Sequence, residues 1–449
     1  MSRLKSVTRV KLQLSPPKFL ALSFFLLIMA GTLLLYMPFS TNSGQSDLLT
    51  ALFTATSASC VTGLIVVDTA THWSVFGQVV ILLLIQVGGL GIMSFAVFYA
   101  LVLGKKIQFR QRLIMQQALN KIDPGGVVNL FRSLLLFTFI SEAVAAIVLA
   151  WHWSSLLGWK KAFWFGLFHS ISAFNNAGFD LWGNFRSLTF FVHDPVVNLV
   201  ICGLIIIGGL GFVVVDELFG LATGKKKSLS LHSRVVVYTT LVLITGGTLI
   251  LLATEYNHSL AGMPLSTKCL ASLFQSISPR TAGFNTIDFP NLLLSSQLLI
   301  ALLMVIGGSP GSTAGGMKTS TVALLMAAIR SQVLGKKDTE IHGYRIAYED
   351  ILRALTVAAL YIGVVITATF ILTLTEGAAL MPIMFEVCSA VGTVGLTLGV
   401  TTGLSVPGQL IIAAAMFLGR VGPLTLAFAL AYNKKPANYR YPAGKVMIG

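Results

Sequence analysis

One pattern occurs four times along this chain. Each copy has a short apolar stretch, a turn of small residues that ends in glycine, and a long apolar segment with a second glycine cluster. The turns end at Gly63, Gly178, Gly283 and Gly395, and the second cluster follows 24 to 30 residues later in every copy. Four similar units in one chain predict four quadrants around a central axis.

Composition places those quadrants in a membrane. Apolar residues make up 55% of the chain and charged residues only 10%, far from the soluble average. A bilayer crossing needs about 20 apolar residues, and eight segments approach or exceed that length. They are residues 19–37, 78–103, 133–151, 195–215, 235–254, 292–306, 354–375 and 408–431. The sixth is broken by its glycine cluster and resumes near Thr319. We therefore predict an all-α polytopic membrane protein with a pore on its axis.

The basic residues predict the orientation. Of the 31 lysines and arginines, 24 lie in five segments, residues 1–18, 104–132, 216–234, 330–353 and 433–449. The positive-inside rule then places both termini in the cytoplasm and the glycine turns outside. The same charge predicts contact with anionic membrane lipid. Nucleic acid is not a predicted partner, because no soluble segment interleaves basic and aromatic residues.

The domain organisation follows from the repeat. We predict a cytoplasmic tail at 1–18, units at 19–103, 127–222, 234–334 and 350–432, and a cytoplasmic tail at 433–449. Each unit contains a short helix before its turn, at about 47–58, 161–173, 265–278 and 380–390. These helices are too short to cross the hydrocarbon, so they are predicted to enter from outside, stop midway and return as irregular backbone.

Four converging turns would suit a cation. The C-terminal end of each short helix carries partial negative charge, and rings of backbone carbonyls can replace the water around a monovalent ion. Glycine permits the left-handed backbone that inward-facing carbonyls require. An alternative is that these glycines only allow tight turns or close helix packing. That would be preferred for one turn, but four copies in the same context favour the cation site.

These residues resemble the Trk/Ktr/HKT superfamily of potassium and sodium translocation proteins, most closely the Ktr-type bacterial membrane subunit. The resemblance covers residues 17–432 and implies four repeats of M1 helix, pore helix, filter turn and M2 helix. It implies that potassium binds backbone carbonyls of a selectivity filter, and glycine in all four turns resembles the potassium-selective members. The implied filter residues are Val61, Thr62, Gly63, Asn176, Ala177, Gly178, Thr281, Ala282, Gly283, Thr393, Val394 and Gly395.

The third copy departs from the others. Its long segment is interrupted at residues 307–319, where Pro310 and many glycines should break a helix. The resemblance implies an intramembrane gate made of Gly308, Ser309, Pro310, Gly311, Ser312, Thr313, Ala314, Gly315, Gly316 and Lys318. Lys318 would raise a barrier or latch the loop; the alternative is that it reaches from the cytoplasmic end of the loop to water.

Two other charges lie within apolar segments. Burial of Arg420 is expensive, so it should face a cavity or a partner. The resemblance implies that it borders the pore and influences the gate, and a structural pair with loop carbonyls is an alternative compatible with that role. For Glu142, structural pairing is preferred over coupling to ions.

The sequence does not predict an enzyme. It has no nucleophile with a paired base and no carboxylate dyad. Residues 311–319 resemble a phosphate-binding loop, but Met317 intervenes before Lys318 and no strand precedes the loop. No cofactor is predicted in this chain.

Two transport mechanisms remain. The first is a gated, channel-like potassium pore in the bacterial cell membrane. The second is an alternating-access secondary cation transporter with a midplane site, which usually has inverted repeats. The charge pattern places all four turns on one side and so favours the pore. The resemblance further implies a homodimer, docked on a cytoplasmic ring of Rossmann-like subunits that bind ATP or ADP, and it leaves sodium as a candidate activator.

Overall fold

The computed structural model describes residues 16–45, 47–91, 127–430 and 442. The predicted N-terminal tail up to residue 15, the end of the first unit with the loop up to 126, and nearly all of the region after 430 lie outside these ranges. The helices in chain order are α1 Pro16–Tyr36, α2 Leu48–Cys60, α3 Thr69–His72, α4 Val75–Leu90, α5 Val127–Leu157, α6 Trp159–Phe174, α7 Pro195–Leu210, α8 Phe212–Ala222, α9 Leu231–Glu255, α10 Leu265–Ile277, α11 Leu294–Val305, α12 Thr319–Val333, α13 Tyr348–Thr375, α14 Leu380–Gly392, α15 Val406–Val421 and α16 Pro423–Leu430.

The fold is helical, as predicted. Short 3-10 turns lie at Pro38–Ser40, Thr189–Phe191 and Thr401–Gly403. In the described ranges, the extended structure is a two-stranded antiparallel hairpin, β1 Glu340–Ile341 with β2 Tyr344–Arg345. Four helices are long and apolar enough to cross a membrane, and a bent pair of helices would make a fifth span. The four are Lys18–Tyr36, Arg132–Leu157, Leu231–Glu255 and Tyr348–Thr375, one in each copy of the pattern.

The second helix of each copy, α4, α7, α11 or α15, is shorter than predicted. A break was predicted only in the third copy, and that prediction is wrong for residues 195–215 and 408–431. Gly211 separates α7 from α8 with a bend of 107°, and Gly422 separates α15 from α16. The φ angles of these two glycines are 90° and 89°, in a region that other residues rarely adopt, so each glycine ends its helix.

The glycine clusters of the second helices allow close packing. A methyl carbon placed on Gly88 would lie 2.0 Å from the carbonyl oxygen of Ser59, near the end of α2. The corresponding distance is 2.0 Å from Gly208 to Phe174 and 2.2 Å from Gly419 to Val391. In three copies, therefore, the cluster brings the second helix against the backbone at the end of the short helix. The third copy differs, because Gly307 packs against Gly315 of its own loop.

We expect Gly88→Ala to lower the free energy of unfolding by about 1–3 kcal/mol, the usual effect of adding a methyl group to a filled site. The measurement is the thermal midpoint of the purified protein in detergent. Gly246→Ala is the matched control, because Gly246 also lies inside an apolar helix but has open space around it. Equal midpoints for the two variants would contradict this account of the cluster.

The apolar core lies between copies of the pattern. One cluster joins Ile81 on α4 to Phe168 on α6 and reaches Phe284 after the third turn. A second joins the first copy to the fourth, and a third joins the third copy to the fourth. The outward faces of the long helices expose large apolar side chains, as a hydrocarbon environment requires. Examples are Leu26, Ile147, Leu249 and Ile366.

Candidate functional site

The four short helices end where the sequence places the glycine turns. Their observed bounds, Leu48–Cys60, Trp159–Phe174, Leu265–Ile277 and Leu380–Gly392, lie within two residues of the predicted ones. The structure buries the helix ends completely, and the glycine turns at residues 61–63, 176–178, 281–283 and 393–395 follow directly or within a few residues.

The glycine turns form a closed ring. A methyl carbon placed on each turn glycine would lie within 3 Å of a carbonyl oxygen in the next turn. These distances are 2.4 Å from Gly63 to Ala177, 2.9 Å from Gly178 to Ala282, 2.4 Å from Gly283 to Val394 and 2.3 Å from Gly395 to Thr62. The order therefore runs through the four copies and returns to the first. Segments more than 300 residues apart in sequence meet in one ring.

The backbone of the turns is unusual at the same two positions each time. The residue two before the glycine has a positive φ, and so does the glycine itself. The first set is Val61 at 57°, Asn176 at 58°, Thr281 at 71° and Thr393 at 52°, and the glycines have φ of 91°, 72°, 79° and 96°. Left-handed backbone costs about 1–2 kcal/mol for a residue with a side chain, and three of these residues are β-branched. Such strain persists only where the surrounding structure holds it, and it concentrates at functional sites.

Four serines that were not predicted as site residues hold these turns. In each copy the N–H group of the residue before the turn glycine donates to a serine carbonyl. The distances are 2.8 Å from Thr62 to Ser57, 2.7 Å from Ala177 to Ser172, 2.9 Å from Ala282 to Ser278 and 2.8 Å from Val394 to Ser389. We call Ser57, Ser172, Ser278 and Ser389 the anchor serines. The signal was present, since a serine stands five or six residues before each turn glycine.

The hydroxyl groups of the anchor serines make a second bond to each turn. Ser57 Oγ accepts from the N–H of Gly63 at 3.0 Å, and Ser389 Oγ accepts from the N–H of Gly395 at 3.0 Å. In the other two copies the hydroxyl donates instead, from Ser172 to the carbonyl of Phe179 and from Ser278 to the carbonyl of Phe284. Each turn is therefore held before its glycine and again at the glycine or at the residue after it.

The ring provides neutral oxygens. Within residues 16–45, 47–91 and 127–430, no group of three or more His, Cys, Asp or Glu side chains could hold a metal ion. The chemistry at the ring consists of backbone carbonyls and the partial negative charge at four helix ends. Such a set suits a dehydrated monovalent cation, whereas divalent cations prefer carboxylate oxygens.

The loop between α11 and α12, which we call the interrupting loop, lies against α7 and the end of α6. The N–H of Ser309 donates to the carbonyl of Gly209 at 2.9 Å, and the N–H of Thr313 donates to the carbonyl of Gly208 at 3.2 Å. Thr313 Oγ1 also donates to the carbonyl of Phe174 at 3.2 Å, just before the second glycine turn. The loop is thus bonded to the elements that carry the ring.

The interrupting loop also contacts the fourth glycine turn. A methyl carbon placed on Gly315 would lie 2.0 Å from Thr393 Oγ1, the residue with left-handed backbone in that turn. Lys318 folds back onto the same loop, where Nζ donates to the carbonyl of Ala314 at 2.7 Å and to that of Gly315 at 3.4 Å. The loop residues named from the sequence therefore lie together, next to the ring.

Arg420 joins three separate elements. From α15, its Nη1 donates to the carbonyl of Thr313 in the interrupting loop. Its Nη2 donates to the carbonyls of Gly88 and Gly89 at the end of α4, the latter at 3.1 Å. The guanidinium lies 6.0 Å from the ring centroid of Phe24 on α1. One side chain thus fixes the loop to the second helix of the first copy.

Glu142 is bound by amides. Gln86 Nε2 donates to its two carboxyl oxygens at 3.1 and 3.3 Å, and Asn175 Nδ2 donates at 3.1 Å. Asn175 directly precedes the second glycine turn, so Glu142 on α5 supports that turn from behind. The sequence did not indicate either partner, because both lie far away along the chain.

Comparison with known proteins agrees with this architecture. Residues 18–439 match the model of the TrkH family, described as a cation transport protein. The chain is 43% identical to Ktr system potassium uptake protein B of Bacillus subtilis over 437 residues, 97% of each chain. It is 40% identical to potassium/sodium uptake protein NtpJ of Enterococcus hirae, covering 98% of this chain and 99% of the relative. The crystal structure of the potassium transporter TrkH from Vibrio parahaemolyticus superposes with a TM-score of 0.71 at 20% identity, covering 94% of this chain and 86% of that one.

Proposed function

Because the chain belongs to the TrkH family of cation transport proteins, we propose that it takes up potassium through a gated pore in the bacterial cell membrane. The observation that carries this proposal is the closed ring of four glycine turns. Its neutral oxygens and helix ends suit a cation that has lost its water. Transport, not catalysis, is also what the names of the relatives describe.

The ring would act as the selectivity filter. Its three residues in each copy, 61–63, 176–178, 281–283 and 393–395, would direct backbone carbonyls at the ion. Alternating positive φ along each turn supports this role, because it can direct successive carbonyl groups to one side of the chain. The anchor serines would keep the spacing that separates potassium from the smaller sodium ion.

The interrupting loop would be the gate. Gly308 to Gly316, Lys318 and Arg420 form one bonded unit next to the ring. Opening would require the interrupting loop to move away from the axis, and the bonds from Arg420 to Thr313, Gly88 and Gly89 would oppose that motion. Lys318 would stabilise the closed loop through its bonds to Ala314 and Gly315.

The chain would be the ion-translocating subunit of a larger complex. We propose four units, at residues 19–103, 127–222, 234–334 and 350–432, with both termini in the cytoplasm. The partners would be a second copy of the chain and a cytoplasmic ring of Rossmann-like subunits that bind ATP or ADP. The basic loop at residues 224–227 and the loop at 335–337 would face that ring or anionic lipid. Sodium is proposed as an activator, since the name of one relative includes it.

The test is rubidium uptake into proteoliposomes that contain the full chain, with potassium or sodium as competitor. We expect potassium to inhibit uptake at concentrations at which sodium has little effect. Equal inhibition by both ions would be consistent with a cation pore but would contradict its preference for potassium. Failure of every alkali cation to enter, with and without the cytoplasmic subunits, would contradict the proposed function as a whole.

A further inference from the structure

We propose that Glu386 is a positioning residue that sets the cation preference of the ring by holding the segment after the fourth glycine turn. The inference rests on the proposed function, because it assigns the residue a part in the selectivity of that same filter. Glu386 lies on α14, one helical turn before the anchor serine Ser389, and its side chain is fully buried.

The carboxylate of Glu386 binds two hydroxyl groups beyond the turn. Thr397 Oγ1 donates to one carboxyl oxygen at 2.7 Å, and Thr401 Oγ1 donates to the other. The Thr397 hydroxyl also accepts from the N–H of Gly399 at 2.9 Å. One side chain thus fixes residues 397–401, which begin two residues after Gly395.

In two other copies, the residue three positions before the anchor serine makes a similar connection with a single hydrogen bond. Gln275 precedes anchor serine Ser278 by three residues, and its Nε2 donates to Thr286 Oγ1 at 3.1 Å. His169 precedes Ser172 by three residues, and its Nε2 accepts from the N–H of Leu181 at 3.4 Å. In every one of these copies, a buried side chain of the short helix reaches the segment that leaves the ring.

The first copy has no such connection in the part of the chain that the structure describes. Thr54 stands three residues before Ser57, and its buried hydroxyl has no hydrogen-bond partner. The four positions therefore form a graded series, from an unbonded hydroxyl to a carboxylate with two donors. The carboxyl group of Glu386 binds two hydroxyl groups, whereas Gln275 and His169 each make one bond to the segment that leaves the ring, so the fourth copy is held most firmly.

The identity of Glu386 points to a role in geometry. The ion pairs seen among the described residues do not include it. A buried carboxylate without a cation stabilises a fold less than a well-packed apolar side chain would. Its bonds instead keep the backbone after Gly395 in place. Because a carbonyl ring separates cations by the position and number of its oxygens, small movements of residues 394–396 should change the preference.

The experiment measures the ratio of the sodium and potassium concentrations that halve rubidium uptake in proteoliposomes. The test variants are Glu386→Ala, Glu386→Gln, Thr397→Val and the double variant Glu386→Ala with Thr397→Val. We expect Glu386→Ala to lower the ratio about tenfold, which corresponds to about 1.4 kcal/mol. Glu386→Gln keeps one oxygen acceptor and should lie between Glu386→Ala and the original chain.

Glu376→Gln is the matched control. Glu376 directly follows α13 in the same copy, and its carboxylate also binds a hydroxyl and an N–H group, both of Ser405. Those bonds hold the start of α15 and lie outside residues 397–401, so the ratio should stay unchanged. The double variant should lower the ratio no more than the larger single variant, because both changes remove the same connection.

Two results would overturn the inference. The first is an unchanged ratio in both Glu386→Gln and Thr397→Val, which alter few atoms and so preserve the fold even if Glu386→Ala does not. The second is an additive effect in the double variant. If the original chain itself does not prefer potassium, the proposed function fails instead, so the two failures are distinguishable.

Discussion

Gly283→Asp is expected to abolish rubidium uptake, with a loss of at least about 100-fold, which corresponds to about 2.7 kcal/mol. A methyl carbon at this position would lie 2.4 Å from the carbonyl oxygen of Val394 and 3.0 Å from the Cα atom of Gly178. Backbone atoms cannot move away as the end of a flexible side chain can. The φ of 79° adds strain for any residue with a side chain. The carboxylate would also place a fixed negative charge within a ring of neutral oxygens.

Gly262→Asp is the control variant that distinguishes the effect of the contact within the ring from the effect of backbone strain. Gly262 has a nearly identical φ of 76°, yet a methyl carbon there would have no atom within 4 Å. If the ring carries the ion, Gly262→Asp should retain most of the uptake. Uptake that persists in Gly283→Asp, at equal amounts of reconstituted protein, would show that these turns do not form the filter.

Arg420→Ala should raise uptake in the absence of the cytoplasmic subunits by about tenfold. The substitution leaves the carbonyls of Thr313, Gly88 and Gly89 without the guanidinium that binds them. A hydrogen bond from a charged donor contributes about 1.5–3 kcal/mol, and 1.4 kcal/mol already changes an equilibrium tenfold. In the proposed gate, those bonds hold the interrupting loop closed, so their loss should shift the loop toward the open state.

Two further variants test this prediction. Arg420→Lys keeps the charge but cannot reach the same three carbonyls with one head group, so its uptake should be intermediate. Arg353→Ala removes an exposed arginine whose contact with Asp350 spans 3.7 Å at the surface, and its uptake should not change. If Arg420→Ala left both the uptake and its response to the cytoplasmic subunits unaltered, Arg420 would have no part in gating.

The sequence predicted the elements that depend on local pattern. The turn glycines recur at similar intervals along the chain. The short helices before them were predicted because their apolar segments are too short to cross a membrane. The breaks at Gly211 and Gly422 were missed for a physical reason. Glycines are common in membrane helices, and neighbours in space decide which glycine of a cluster ends the helix. At Gly211 that neighbour is the carbonyl of Pro310, 2.6 Å from a methyl carbon placed there.

The partners of the buried charges were beyond prediction for a related reason. Arg420 binds carbonyls more than 300 residues earlier in the chain, at Gly88 and Gly89. Glu142 binds Gln86 and Asn175, which belong to two different copies of the pattern. Backbone carbonyls and amides occur everywhere, so no residue type marks them as partners. Glu386 was likewise missed, because a single acid in an apolar helix has no pattern of its own.

The ring of four turns comes from one polypeptide, and this affects how its specificity can change through evolution. In an assembly of four identical chains, a change in a single codon alters all four turns of the ring at once. Here a change in one codon alters one turn and leaves the other three unchanged. The four turns already differ in sequence, with Val-Thr, Asn-Ala, Thr-Ala and Thr-Val before the glycines. If the ring is the filter, its ion preference can therefore change one turn at a time, and selection acts on each intermediate.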